Sequence, residues 1–139
     1  MRGLIAFDAD VLIYAASPQH PLGKHVATLF SDPQSPVGIG SVLLLTEVLA
    51  KPLREDEQSE DARTLMGLLS RLDLLDFDEN TAALALALAL TYRLRAADAA
   101  HLATAVAAGA DYFLTNNHKD FPKQIAEIHV LYPEDLAEG

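Results

Sequence analysis

Apolar residues fall in short blocks along the chain, and the spacing inside each block sets the element it predicts. Residues 4–7 are continuously apolar and stop at Asp8, the pattern of a short strand covered on both faces. A helix is expected over 10–16, stopped by the Ser17-Pro18 step. A second is expected over 21–30, where Leu22, Val26, Leu29 and Phe30 fall near one face. The Asp32-Pro33-Gln34-Ser35-Pro36 stretch has turn composition, and 37–40 is a second short apolar strand. Ser41 can then cap a helix running through 42–49 and broken at Pro52.

The acids Glu55, Asp56, Glu57 and Glu60 mark a solvated helix start, with Leu65, Met66, Leu68, Leu69 and Leu72 as the apolar face of that helix. A third strand is predicted over 74–77. Alanine and leucine alternate from Ala83 to Leu90, a period that on its own suggests a strand. Alanine is the best helix former and nothing in the run is β-branched, so a helix over 81–94, capped by Asn80, is the better assignment. Leu84 and Leu88 then face one side and Leu86 and Leu90 nearly the opposite side. Both sides are expected to pack, one on the sheet and the other on a neighbouring helix or subunit.

A further helix over 96–108 closes at Gly109, strands follow over 111–115 and 128–131, and the chain ends in an acidic tail expected to fray after Pro133. Strands and helices thus alternate for most of the length. That order favours an α/β fold, a three-layer α/β/α sandwich around a mainly parallel central sheet. With 139 residues, half of them hydrophobic, the chain is expected to form a single domain over 1–139.

Twenty Asp plus Glu against ten Lys plus Arg give a formal charge of −10, which argues against adhesion to nucleic acid through bulk charge. It leaves room for a metal-dependent enzyme, because carboxylates are the ligands hard divalent cations take. The chain has no cysteine, which excludes disulfides, thiolate catalysis and Cys-held metal clusters. The opening apolar run is too short for a signal peptide, and no 18-residue apolar window suggests a membrane span. The expected location is cytoplasmic.

Open parallel sheets place their sites at the carboxyl ends of strands, and Asp8 and Asp10 follow the first strand directly. Helix capping explains both acids equally well. Glu47 lies among Leu43, Leu44, Leu45, Val48 and Leu49. It either occupies the polar face of its helix or turns inward, where it needs a hydrogen bond, an opposite charge or a metal. Asp98, amid alanines, is either a first-turn acid or a ligand. His101, three positions on, shares its helix face and reads more readily as a packed or hydrogen-bonded histidine than as a ligand. Thr115, Asn116, Asn117 and Asp120 follow an apolar strand, where turn formation and the positioning of water or phosphate both suit them. If Asp8, Glu47 and Asp98 converge, their repulsion calls for a cation. No phosphate-cradling glycine motif is present.

Taken together, Leu4-Ile5-Ala6-Phe7-Asp8-Ala9-Asp10-Val11-Leu12-Ile13, Thr46-Glu47-Val48-Leu49, Ala97-Asp98-Ala99-Ala100-His101-Leu102-Ala103-Thr104-Ala105 and Tyr112-Phe113-Leu114-Thr115-Asn116-Asn117 resemble the PIN-domain nucleases. The likeness is greatest to the VapC-like toxins of toxin-antitoxin modules. It implies a PIN-like fold and cleavage of RNA with Mg²⁺ or Mn²⁺ bound by Asp8, Glu47 and Asp98. It also implies a cognate antitoxin and a homodimer. Thr115 matches a polar residue that closes the site, and Asn117 with Thr115 would position water or phosphate. Two positions depart from the pattern: Asp10 stands where Asn is usual, and Asn117 where a fourth acid is common. Asp10 or Asp120 could compensate. Arg93, Arg95, Lys119 and Lys123 are candidates for phosphate contacts or for structural ion pairs. The alternative to a nuclease is a catalytically weak PIN-like subunit that binds RNA or protein.

Overall fold

The structure, a computed structural model, describes residues 3–17, 19–31 and 36–138. Among them, β1 (Ile5–Phe7), β2 (Gly38–Ser41), β3 (Leu72–Leu75), β4 (Tyr112–Leu114) and β5 (His129–Leu131) form one sheet. Its order is β3-β2-β1-β4-β5 and every neighbouring pair is parallel. The helices are α1 (Ala9–Ala15), α2 (Pro21–Leu29), α3 (Leu44–Glu55), α4 (Glu60–Leu69), α5 (Glu79–Tyr92) and α6 (Ala96–Ala107), followed by a short 3₁₀ helix, Pro133–Glu138.

Strand alternation divides the core in two, because successive side chains point to opposite faces. Ala6 is in register with Ile39 and Phe113, and Phe113 with Val130, and all four join α5 and α6 residues such as Leu88 and Leu102 in one apolar cluster. Ile5, Phe7, Leu114 and Leu131 point the other way, onto Val11, Leu12, Val26, Val48 and Leu65. The fold is therefore the expected α/β/α sandwich, with α5 and α6 on one face and the earlier helices on the other. At Gly38 a Cβ would sit 2.4 Å from the Ile5 carbonyl oxygen and 2.7 Å from the Phe7 ring, so only glycine permits this approach of β2 to β1.

Several local expectations change. Pro52 lies inside α3 rather than ending it: it removes a single hydrogen bond late in the helix, and the amide of Asp56 still closes on the Pro52 carbonyl at 3.0 Å. Ser41 accepts from the Leu43 amide at 3.1 Å, capping the turn before α3, whose own N-cap position is Leu43. The third strand starts two residues earlier than expected, because Gly38 to Ser41 pair with Leu72 to Leu75, and Leu72 belongs to that strand rather than to the face of α4. Asp78, not Asn80, caps α5, accepting from the Thr81 amide at 2.8 Å and the Thr81 hydroxyl at 2.7 Å. The tail after Pro133 is held by Asp135, which accepts from Lys123 Nζ at 2.7 Å and from the Tyr132 amide at 2.9 Å. The turn expected over 32–36 lies, except for its last residue, outside the described residues.

Leu88 is buried, as expected for the sheet-facing side of α5, but Leu86 and Leu90 are 63% and 75% exposed. Leu86, with Leu43 and Phe77, lines an apolar groove of about 420 Å³ floored by alanines of α5 and α6. Leu86 and Leu90 are left uncovered by the described residues. Among the described residues no helix is long and apolar enough to cross a membrane.

Candidate active site

The strand order reverses direction at β1, whose neighbours are β2 on one side and β4 on the other. A crevice opens at such a point beyond the carboxyl ends of the strands. Asp8, directly after β1, and Thr115, directly after β4, meet there. Asp8 is the N-cap of α1, its Oδ1 accepting from the Ala9 amide at 2.9 Å. Its backbone amide donates to the Leu114 carbonyl at 2.9 Å, which carries the β1–β4 pairing one residue further. Its Oδ2 accepts from the Thr115 hydroxyl at 2.8 Å. Thr115 is fully buried, and its hydroxyl also accepts from the Asn117 amide at 3.1 Å.

Around this pair the loop after β4 ties down the remaining acids. The Asn116 amide donates to both oxygens of Asp10, at 3.1 and 3.3 Å. Asn117 donates through Nδ2 to Asp120 at 3.0 Å and accepts from the Asp120 amide at 3.2 Å. Asp98 stands in the first turn of α6 and Glu47 in the first turn of α3. Glu47 Oε2 is hydrogen-bonded to His101 Nε2, across from α6. Glu47 also lines a cleft of about 350 Å³ with Ile13, Lys51 and Glu55.

The electrostatics show that these carboxylates feel one another. Burial raises the pKa of Asp8, and the charge of Asp98 adds to it, against the lowering by His101, the Thr115 bond and the Ala9 amide. Asp10 is pushed up to about 7 by burial and then by the charges of Asp8 and Asp98, despite the Asn116 amide. Burial, Asp120 and Glu47 raise Asp98, opposed by His101 and Arg95. Glu47 is the exception, lowered by its bond to His101. Burial pulls the His101 pKa down, but Glu47 and the charges of Asp8 and Asp98 outweigh it and the net shift is upward.

The three acids singled out in the sequence thus come from β1, α3 and α6 to one end of the sheet, joined by Asp10 and Asp120. Their donor set, carboxylate oxygen with little opposing positive charge, suits a hard divalent cation. Among the described residues, however, no three or more His, Asp or Glu side chains are grouped tightly enough to hold a metal ion as they stand. Lys123 is engaged by Asp135, so it serves the C-terminal packing. The His101–Glu47 bond joins residues 54 positions apart, and no local pattern announces it; the shared helix face of Asp98 and His101 was the only signal available.

The PIN domain family model matches residues 5–127. The chain belongs to the PIN-domain family. Three solved structures share the fold over nearly the whole chain. A chain of a toxin-antitoxin complex from Klebsiella pneumoniae is 26% identical with a TM-score of 0.72, covering 93% of this chain and 97% of that one. A chain of VapBC2 from Rickettsia felis, bound to a DNA fragment from its promoter, is 20% identical with a TM-score of 0.70, covering 93% and 98%. A chain of DNA-bound VapBC from Salmonella typhimurium is 19% identical with a TM-score of 0.68, covering 94% and 98%. No match is found among curated proteins. The PIN-domain membership and the likeness to toxin-antitoxin proteins read from the sequence are both borne out.

Proposed function

We propose that this PIN domain is the toxin of a toxin-antitoxin pair and hydrolyses RNA phosphodiesters with Mg²⁺ or Mn²⁺. The observation that carries this is the convergence of Asp8, Asp10 and Asp98 at the crevice with all three carboxyl groups raised in pKa, a concentration of negative charge that a divalent cation would relieve. Asp8 and Asp98 would hold the cation, with Glu47 binding it or orienting the attacking water as a base. The cation supplies Lewis acidity, activating water and offsetting charge on the phosphodiester. Thr115, being fully buried, acts through Asp8: its hydroxyl fixes the orientation of that carboxylate. Asn117 holds the loop that carries Asp120 and would position water or phosphate without adding repulsion. Arg95, whose charge already reaches Asp98, is the best placed candidate for a phosphate contact. The partners in this reading are the RNA substrate, a cognate antitoxin and a second copy of the chain.

A second reading, a catalytically weak PIN-like subunit that binds RNA or protein, is favoured by one specific observation. The acids do not form a ready three-ligand group, Glu47 being bonded to His101 and Asn117 occupying the place of a fourth acid. Incubation of total RNA with the protein over Mg²⁺ and Mn²⁺ titrations separates the two. Metal-dependent cleavage that is lost in folded Asp8→Asn and Asp98→Asn supports the nuclease; RNA retention without cleavage at any metal concentration supports the binding subunit.

A further inference from the structure

His101 lies in the middle of α6 with its side chain 1% exposed, facing Glu47, whose side chain is 38% exposed. Its Nε2 is bonded to Glu47 Oε2, while its Nδ1 is buried with no hydrogen-bond partner among the described residues. Burying an imidazole with one nitrogen unpaired carries a desolvation cost that an apolar side chain of similar size would avoid. What the apolar side chain could not supply is the bond to Glu47. His101 follows Asp98 by one helical turn, and its ring is near enough to Asp8 and Asp98 for both charges to act on it. The ring is therefore bonded to the acid of α3 and within electrostatic reach of Asp8 and Asp98, yet is itself too deeply buried to meet a substrate.

We propose that His101 is a positioning residue that holds Glu47 through Oε2, so that Oε1 is presented toward Asp98 for the cation or its water. The proposal rests on the metal-dependent reading above. A carboxylate on a flexible side chain has several rotamers, and a rigid partner behind it selects one; such outer contacts typically contribute about 10- to 100-fold to metal affinity.

The test is Mn²⁺ binding, followed by the paramagnetic signal of the free ion, with RNA cleavage measured in parallel. In His101→Leu, Mn²⁺ affinity should fall by about 10- to 100-fold, whereas His101→Gln, whose amide reaches the Nε2 position, should retain affinity near that of the parent. In a Glu47→Ala background His101→Leu should cause no further loss, which a merely structural role would not produce. If His101→Leu fails to fold by thermal melting, His101→Asn, whose shorter amide cannot reach Glu47, replaces it against His101→Gln. Parental Mn²⁺ affinity in the Leu or Asn variant, or an equal loss with Glu47 already removed, overturns the role of His101 while leaving the nuclease reading intact. A parent chain that binds no Mn²⁺ overturns both.

Discussion

Asp10→Asn should stabilise the metal-free protein, and the size of the gain follows from the site. Asp10 is largely buried beside Asp8 and Asp98, and its pKa rises from 3.8 to about 7. An acid whose pKa is raised on folding destabilises the native state once it is ionised. The cost is absent below the unfolded value of 3.8, grows as pH rises toward about 7, and is complete above that. The shift of roughly 3 units at about 1.4 kcal/mol each sets a ceiling of about 4 kcal/mol. Residual solvent and the acidic character of the unfolded chain reduce this to about 2–3 kcal/mol. Asparagine keeps an oxygen for the Asn116 amide, so the hydrogen bond survives and only the charge is lost. At about 3–4 °C per kcal/mol, Asp10→Asn should melt roughly 6–12 °C above the parent at pH 8 in EDTA. Near pH 4 the two should nearly coincide. Added Mg²⁺ should narrow the gap at pH 8, since the cation offsets the same repulsion. An advantage that does not change with pH, or no advantage at pH 8, would refute the placing of Asp10 inside the acidic centre.

Gly23→Ala should cost at least about 2 kcal/mol by chemical denaturation, because its Cβ would stand 2.1 Å from the Tyr14 carbonyl oxygen where α2 crosses the end of α1. Gly67→Ala, with open space around the added methyl group in α4, should instead gain about 0.5–1 kcal/mol in the same assay. Thr115→Val should lose about 1–3 kcal/mol by leaving the buried Asp8 oxygen and the Asn117 amide without their partner, and RNA cleavage should fall with it. If the proposed second copy of the chain packs on the exposed leucines of α5, Leu86→Ser with Leu90→Ser should give a monomer in sedimentation analysis where the parent is a dimer, without lowering the melting temperature of the monomer, as both side chains are exposed in the single chain. An unchanged dimer would place the second copy elsewhere.

Much of the fold was legible because local signals and tertiary demand agreed. The apolar run ending at Asp8 identified both the central strand and the acid at its carboxyl end, and Gly109, at φ 71°, closes α6 as its position suggested. The alternating Ala-Leu run was a conflict between periodicity and propensity, and propensity won over Glu79–Tyr92. Where neighbours outside the local window decide, sequence reasoning slipped. The start of β3 is fixed by its pairing with β2, and Pro52 is retained because the packing of Leu44, Val48 and Leu49 outweighs one missing hydrogen bond. At the site, the residue types and their order singled out Asp8, Glu47 and Asp98, and the charge of Asp98 couples to the other two. The orientation of Glu47 depends on His101, 54 residues away, and nothing near either residue encodes that bond.

The central claim is that acids from β1, α1 and α6 meet at one end of the sheet and are relieved by a bound cation. Thermal melting of the parent, Asp8→Asn and Asp98→Asn over a Mn²⁺ titration at fixed ionic strength tests it most directly. The parent should gain stability along a saturable curve, and each variant should start higher in EDTA yet gain little. A parent whose melting temperature ignores Mn²⁺, or variants that respond as strongly as the parent, would contradict it.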